Sequence, residues 1–376
     1  MDLKRYILLL SLTTLITPAL MATTQEGEDA YNQEHFEKAY ILLTPEAEKG
    51  DAKAQFLLGK MYYNAQGVSY NADKTEQLLL ASANQGNVDA QVLLAGFYWY
   101  LNTPEGFTKA LSWYQKAADK NNAEGQYGLG YMYDTGSGVP QNPETAMIWY
   151  RKSAAQGNSN AALAIGYNYD SGIGVKKDKT EAINWYIKAA ELGNSSGQYN
   201  LGLMYEQGDG VAVDLNKSAQ YFEKAAEQGH AKSQLELGYL YDSGKLGRKD
   251  LQKAAYWYEK SAEAGNVNAQ YNIADMYFYG DGVGKNVEQS ILWMRKSAEQ
   301  GYGKAQNQLG VYYRDGIGVS ADPVEAYAWF NAALNNGFDK ARDNLSSLEK
   351  IMNSEDLTKA KVLGKQYSEQ YKASAE

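Results

Sequence analysis

The residue types that carry most enzyme chemistry are scarce in this chain. It has two histidines, His35 and His230, and no cysteine in 376 residues. Without a thiol there is no thiolate nucleophile, no disulfide framework and no cysteine-based zinc site. His35 falls in what reads as an N-terminal cap and His230 in a turn between repeats, about five repeats on. The two therefore form no pair, and both read as exposed surface residues. Carboxylates are plentiful, at 45 Asp and Glu, and a glycosidase needs only two of them. Asp119, Asp134, Asp170 and Asp242, however, recur at repeat spacing at helix ends, where they read as caps or solvated turn residues.

The glycine turns offer no phosphate cradle. No strand precedes Gly136-Ser137-Gly138-Val139 or Gly172-Ile173-Gly174-Val175, and neither Gly-x-Gly-x-x-Gly nor Gly-Lys-Ser/Thr occurs. Asp209–Gly210 and Asp281–Gly282 lack the alternating acidic ladder of a calcium loop. The expectation is a chain without catalytic residues, metal or cofactor. A formal charge of −9 and a pI near 5.0 speak against nucleic acid as a partner, because that binding runs on Lys and Arg contacts to phosphate. Tyrosine is the compositional outlier, at 32 residues.

The elements that position these residues follow from a repeat. Aligned starts fall at Ala54, Ala90, Gly125, Ala161, Gly197, Ser233, Ala269 and Ala305, with steps of 36 residues and one of 35. The fourth residue after each start is Leu or Ile, and the eighth is Tyr in all eight, from Tyr62 to Tyr313. Offsets 0, 4 and 8 lie on one stripe of a helix. A Gly follows the Leu at Gly59, Gly130, Gly166, Gly202, Gly238 and Gly310. It costs about 1 kcal/mol against Ala, so it predicts a close backbone approach by the neighbouring helix. A glycine turn follows. The second helix then carries Ala182, Trp185–Tyr186 and Ala189–Ala190 in the fourth unit, and stops at Gly193. The second unit departs from the turn with Asn102–Thr103–Pro104, the sixth with Gly244–Lys245–Leu246–Gly247, and the first has Leu78–Leu79 for the aromatic pair.

These strings resemble the Sel1-like repeat, a relative of the tetratricopeptide repeat. Gly197–Gln198–Tyr199–Asn200–Leu201–Gly202–Leu203–Met204–Tyr205 and the later Tyr221–Phe222–Glu223–Lys224–Ala225–Ala226 carry the likeness. It implies an all-α, right-handed α/α superhelical solenoid, with eight repeats over residues 54–340 and helical caps over 23–53 and 341–376. Within the first cap, Phe36 to Glu48 is the predicted second helix. Ala341 to Lys350 begins like a ninth first helix but lacks its Gly and Tyr, and a polar helix runs from Glu355 to Gln370.

The resemblance further implies an adaptor for proteins, with first helices on the concave face. Mapped to offsets 2, 6, 9 and 10, that face holds Trp99, Tyr100, Tyr127, Tyr131, Tyr167, Tyr199, Tyr239, Tyr271, Phe278 and Tyr279. Aromatic side chains of this kind dominate binding hot spots; the competing reading is that they only pack between neighbouring first helices. A second candidate is a basic edge, Lys176, Lys177 and Lys179 with Lys245, Arg248 and Lys249, that could hold an anionic lipid head group.

Lys4 and Arg5 precede a short apolar run from Tyr6, the pattern of a secretory signal peptide ending at Ala19 or Ala22. Residues 1–22 are thus expected to be removed, leaving a periplasmic or secreted chain with no transmembrane segment. Within the family, export and absent cysteines resemble secreted uptake-promoting proteins of intracellular bacteria, of the Legionella LpnE type. Host or envelope proteins are the expected partners, in virulence or in envelope scaffolding. Cysteine-rich relatives described as β-lactamases rely on a disulfide per repeat, which this chain lacks.

Overall fold

The computed structural model describes residues 23–373. Within them the chain forms twenty α-helices and no strand. The signal-peptide reading lies outside the described residues. No described helix is long and apolar enough to cross a membrane.

The helices fall into two compact units, meeting in sequence between Asn158 and Ser159. In the first unit α1 (Thr24–Asn32) and α2 (Phe36–Glu48) precede three pairs. These are α3 (Ala52–Asn64) with α4 (Ala72–Asn84), α5 (Val88–Tyr100) with α6 (Pro104–Asp119), and α7 (Ala123–Thr135) with α8 (Pro143–Ala155). The second unit begins with α9 (Ser159–Ser171) and α10 (Lys179–Glu191), then α11 (Ser195–Gln207) and α12 (Leu215–Glu227). It continues with α13 (Ala231–Ser243) and α14 (Leu251–Glu263), α15 (Val267–Tyr279) and α16 (Val287–Glu299), and α17 (Gly303–Asp315) and α18 (Pro323–Asn335). It ends with α19 (Ala341–Ile351) and α20 (Ser354–Gln370). Within each unit a first helix packs on its own second helix, and the next first helix packs on that second helix in turn. In the first unit successive first helices also touch one another, α1 with α3, α3 with α5 and α5 with α7. A groove of about 420 Å³, lined by Tyr40, Lys74 and Leu78, separates α2 from α4. First helices therefore form the inner side of that unit.

The repeated residues have distinct packing jobs. Leu58, Leu94, Leu129, Ile165, Leu201, Leu237, Ile273 and Leu309 are all buried. The glycine beside the Leu does admit a close neighbour, but it is a side chain of the pair's own second helix rather than backbone. A Cβ on Gly202 would lie 2.4 Å from the Phe222 ring. Where Ala274 replaces the glycine, its counterpart in α16 is Met294, whose flexible side chain accommodates the methyl. The turn glycine Gly208 ends α11 in the left-handed region, at φ 73°, which glycine adopts without steric cost.

The helix N-caps are a different set from the carboxylates singled out by sequence. Asp51, Asn71, Asn87, Asn122, Asp178, Asn194, Asp214 and Asp250 each accept a backbone N–H of the first turn. Asp119, Asp134, Asp170 and Asp242 stand at C-terminal ends and cap nothing. Asp119 accepts from the Gln115 amide at 2.7 Å and Asp134 from the Tyr150 hydroxyl at 3.2 Å. Asp170 pairs with Lys179, and Asp242 with Lys249 at 3.8 Å.

A glutamine ladder, unread in the sequence, ties successive pairs together. Gln55, Gln91, Gln198, Gln234, Gln270 and Gln306 donate to carbonyls near the C-terminal end of the preceding second helix, Ala83 O for Gln91 at 3.1 Å and Ala226 O for Gln234 at 3.0 Å. Thirty residues on, Gln85, Gln156, Gln228, Gln300 and Asn336 donate back to the glutamines, Gln228 to Gln198 at 2.7 Å. The return bond is missing to Gln91 and Gln234, and both halves of the rung are missing in the fourth unit, where Ala162 and Leu192 occupy the two positions.

The C-terminal end corrects the picture of a solvated polar helix. Instead of pairing with α19, α20 folds back on α18. Tyr371 stacks on Trp329 at 5.0 Å and Tyr367 leans on it at 4.7 Å. In earlier pairs a lysine three residues along covers the equivalent tryptophan, as Lys152 covers Trp149 at 4.0 Å and Lys296 covers Trp293 at 4.1 Å. Ala332 occupies that place after Trp329, which leaves the indole face for α20.

Candidate functional site

The first-helix face carries the aromatic residues, and neighbouring sequence decides what each ring does. Tyr127 on α7 leans on Tyr131 at 6.4 Å and on Tyr150 at 5.8 Å. Tyr131 meets Trp99 of α5 edge-on, with ring centres 5.5 Å apart and planes at 77°. Behind them Tyr114 of α6 lies over Gly128, so closely that a Cβ there would be 2.4 Å from the ring. Together with Val92 and Glu124 these residues line a cleft of about 350 Å³. The Trp99 indole N–H has no hydrogen-bond acceptor among the described residues. Burial, then the neighbouring Tyr127 and Glu124, pushes the Tyr114 phenol up to about 12. Burial also raises Tyr127, so both remain neutral. Glu124 accepts the Asn158 amide at 2.9 Å.

In the second unit the equivalent rings are partly covered. Tyr199 lies against His230 at 4.9 Å and Phe222 at 5.8 Å. Tyr271 meets Tyr302 at 5.5 Å. Each cover is the N-cap residue 31 positions on, and for Tyr127 that position is Asn158, which is turned to Glu124. Phe278 stacks on Tyr312 at 5.5 Å. Tyr100, Tyr167, Tyr239 and Tyr279 project outward, exposed at 74%, 54%, 45% and 63%. The ten sequence-predicted residues thus divide into four exposed rings, a cleft built on Trp99, Tyr127 and Tyr131, and three rings packed against neighbours in the second unit. Tyr114 and Gly128 were missed. Their signal was available, since Gly128 stands at an offset filled by larger residues in every other unit. Carboxylates flank the second unit's rings. Burial and then Glu206 raise Glu236, and burial followed by Asp281 and Asp242 raises Asp275.

The basic edge is largely neutralised. Lys179 pairs with Asp170 and with Asp209 at 2.6 Å. Lys245 pairs with Glu206 at 3.0 Å and Lys249 with Asp242 at 3.8 Å. Lys176, Lys177 and Arg248 are exposed. Three of the six basic residues are thus engaged by carboxylates, and the other three stand exposed on the turns. His230 also differs from expectation. It is half-buried and its Nδ1 accepts the Ser233 backbone N–H at 3.2 Å, which caps α13. Burial, and next Lys232, lowers its pKa and favours the neutral acceptor form. His35 precedes α2 without making a cap bond. No group of three or more His, Asp or Glu able to hold a metal occurs among the described residues.

Stacked helix pairs with an aromatic first-helix face define an all-α repeat protein of the interaction-scaffold type. The Sel1 repeat model matches residues 52–87, 88–122, 123–158, 159–194, 195–230, 231–266, 267–302 and 303–338, and the chain belongs to the Sel1 repeat family. A Sel1 repeat protein from Oxalobacter formigenes is 31% identical, with a TM-score of 0.51, over 73% of this chain and 98% of that structure. A protective antigen of uropathogenic Escherichia coli with an SLR fold is 33% identical over 93% of this chain and 84% of its own, with a TM-score of 0.48. The ERAD-associated E3 ubiquitin-protein ligase component HRD3A of Arabidopsis thaliana is 34% identical over 125 residues, 30% of this chain and 18% of that protein. The chain spans less than a fifth of the length of the first curated relatives it matches.

Proposed function

We propose that this protein is an exported, non-enzymatic adaptor that captures partner proteins on its first-helix face, with a role in virulence through host-cell uptake or vacuole trafficking. The observation that carries the adaptor reading is the set of large rings left exposed on first helices, Tyr100 with the Trp99 cleft in the first unit and Tyr167, Tyr239 and Tyr279 in the second. Tyr and Trp dominate interface hot spots. The export step is supported by the signal-like N-terminus alone. Pulldown with the purified chain and its Trp99→Ala, Tyr131→Ala and Tyr279→Ala variants tests the adaptor reading. Loss of the captured partners is expected, and unchanged capture by all three would remove the groove from the proposal.

A periplasmic scaffold for cell-wall or secretion machinery is the second reading, favoured by the same N-terminal pattern. Fractionation separates the two, because the host-facing role fails if the chain is never found outside the cell. No turnover is expected on a panel of β-lactams, and clear hydrolysis would overturn the non-enzymatic reading.

A further inference from the structure

We propose that the cleft between α5 and α7 is a receptor for a quaternary ammonium group. This assigns a ligand chemistry to part of the face that the adaptor reading uses, and it rests on that reading only for its biological setting.

The cleft has the wall structure such a cation needs. Trp99 and Tyr131 stand nearly perpendicular, at 77°, and Tyr127 leans toward Tyr131 at 42°. Tyr114 backs the cleft over Gly128, and Glu124 supplies a carboxylate to the lining. No Lys or Arg lines it. Ring faces carry partial negative charge, so several rings turned on one space attract a cation, most strongly where it sheds water. Neutral phenols and a carboxylate add to the same sign of potential.

Four of the other six tryptophans, all on second helices, carry a lysine of their own helix over the ring. Lys116 sits 3.7 Å from the centre of the Trp113 ring, Lys152 4.0 Å from Trp149, Lys188 4.9 Å from Trp185 and Lys296 4.1 Å from Trp293. Each lysine lies three residues after its tryptophan on the same helix. The position three after Trp99 is Asn102, already beyond the end of α5. The chain supplies its own cation to four tryptophans and none to this one.

Chemistry selects the kind of cation. A primary ammonium brings three N–H donors, each of which needs an acceptor once dehydrated. The cleft offers mostly ring surface; its acceptors are the phenol oxygens of Tyr114, Tyr127 and Tyr131 and the Glu124 carboxylate, which already accepts from Asn158. A trimethylammonium group has no donor to satisfy and presents methyl surface to the rings. The cleft, at about 350 Å³, suits a free choline-like molecule, which is the source proposed; a choline lipid head group and a trimethylated lysine share the group and are the other outcomes of the test.

The test is titration of the ¹⁵N-labelled full chain, following the indole N–H resonances, with the Trp99 signal assigned from Trp99→Phe. Tetramethylammonium and choline should shift that signal saturably. The neutral isostere 3,3-dimethyl-1-butanol and the primary amine ethanolamine should each bind at least about tenfold more weakly. Tyr131→Leu and Glu124→Gln should weaken choline binding while leaving the helical circular dichroism unchanged, so the result does not hang on Trp99→Ala folding. Trimethyllysine peptide and phosphatidylcholine vesicles identify the source by which displaces choline. Absence of a saturable shift, or equal binding of the neutral isostere, would overturn the proposal. Choline binding with partner capture indifferent to Trp99, Tyr131 and Tyr279 alike would keep this site and remove the groove from the adaptor reading. Capture that needs Trp99 without cation binding would do the reverse.

Discussion

His230 shows how one residue can carry a pH dependence into a repeat. It takes the N-cap place that Asn194 and Asn266 hold in the pairs on either side. Its ring accepts a backbone N–H only while Nδ1 is unprotonated, and burial against Tyr199 lowers its folded pKa below the usual 6.5. The unfolded chain therefore binds the extra proton first, and stability rises with pH across that interval. The contribution is complete above about pH 6.5 and falls as pH drops from there through the lowered folded value. His230→Asn should keep the cap and remove this dependence, read as denaturation midpoints at pH 5 and pH 7.5. A variant with the same pH slope as the parent would refute the assignment. Gly202 tests packing at the same scale. Gly202→Ala drives a methyl into Phe222 and should destabilise by about 1–3 kcal/mol. Adding Phe222→Met, the partner that accompanies Ala274 in α15, should recover part of the loss in urea unfolding.

Among the elements, α20 is the one whose place depends on a distant helix. Trp329 is fully buried beneath it, and the Tyr367 hydroxyl donates to Glu325 at 3.0 Å. Truncating both rings, Tyr367→Ala with Tyr371→Ala, should cost about 2–4 kcal/mol locally and blue-shifted tryptophan emission should move toward the red. Limited proteolysis gives the second readout, with cleavage expected first between α19 and α20. If α20 stays protected in the double variant, the tyrosines do not hold it. The glutamine ladder acts between pairs. Gln198→Ala removes one hydrogen bond from the Ala190 carbonyl and one from the Gln228 amide, which keep the Gly193 N–H and the Lys224 carbonyl, and should cost about 1–3 kcal/mol for the two bonds.

Across the whole molecule, stability in such arrays is approximately a sum of unit and interface contributions. The fourth unit lacks its glutamine rung, with Ala162 and Leu192 in place, and it buries Asn168 with an unpartnered amide where other units place an apolar side chain. Native-state hydrogen exchange should therefore find α9 and α10 opening before α11 and α12, whose rung is complete. Uniform protection along the second unit would contradict this. The repeat itself was legible because Leu, Gly and Tyr recur at offsets that a helix places on one stripe, and local periodicity needs no long-range information. The first cap's α2, from Phe36 to Glu48, follows the same local rule. Which rings remain open was not legible, because Tyr199 and Tyr127 share an offset and differ only in the residue 31 positions later. Nor was the path of α20, whose polar composition hides two tyrosines that match an uncovered Trp329. Composition and spacing alone determined a helical repeat without thiol or histidine-pair chemistry. Tertiary structure decided which tyrosines are covered, which lysines are spent on carboxylates and where the last helix lies, because contacts such as Tyr199–His230, Lys179–Asp209, Lys245–Glu206 and Trp329–Tyr371 join residues far apart in sequence that only packing brings close.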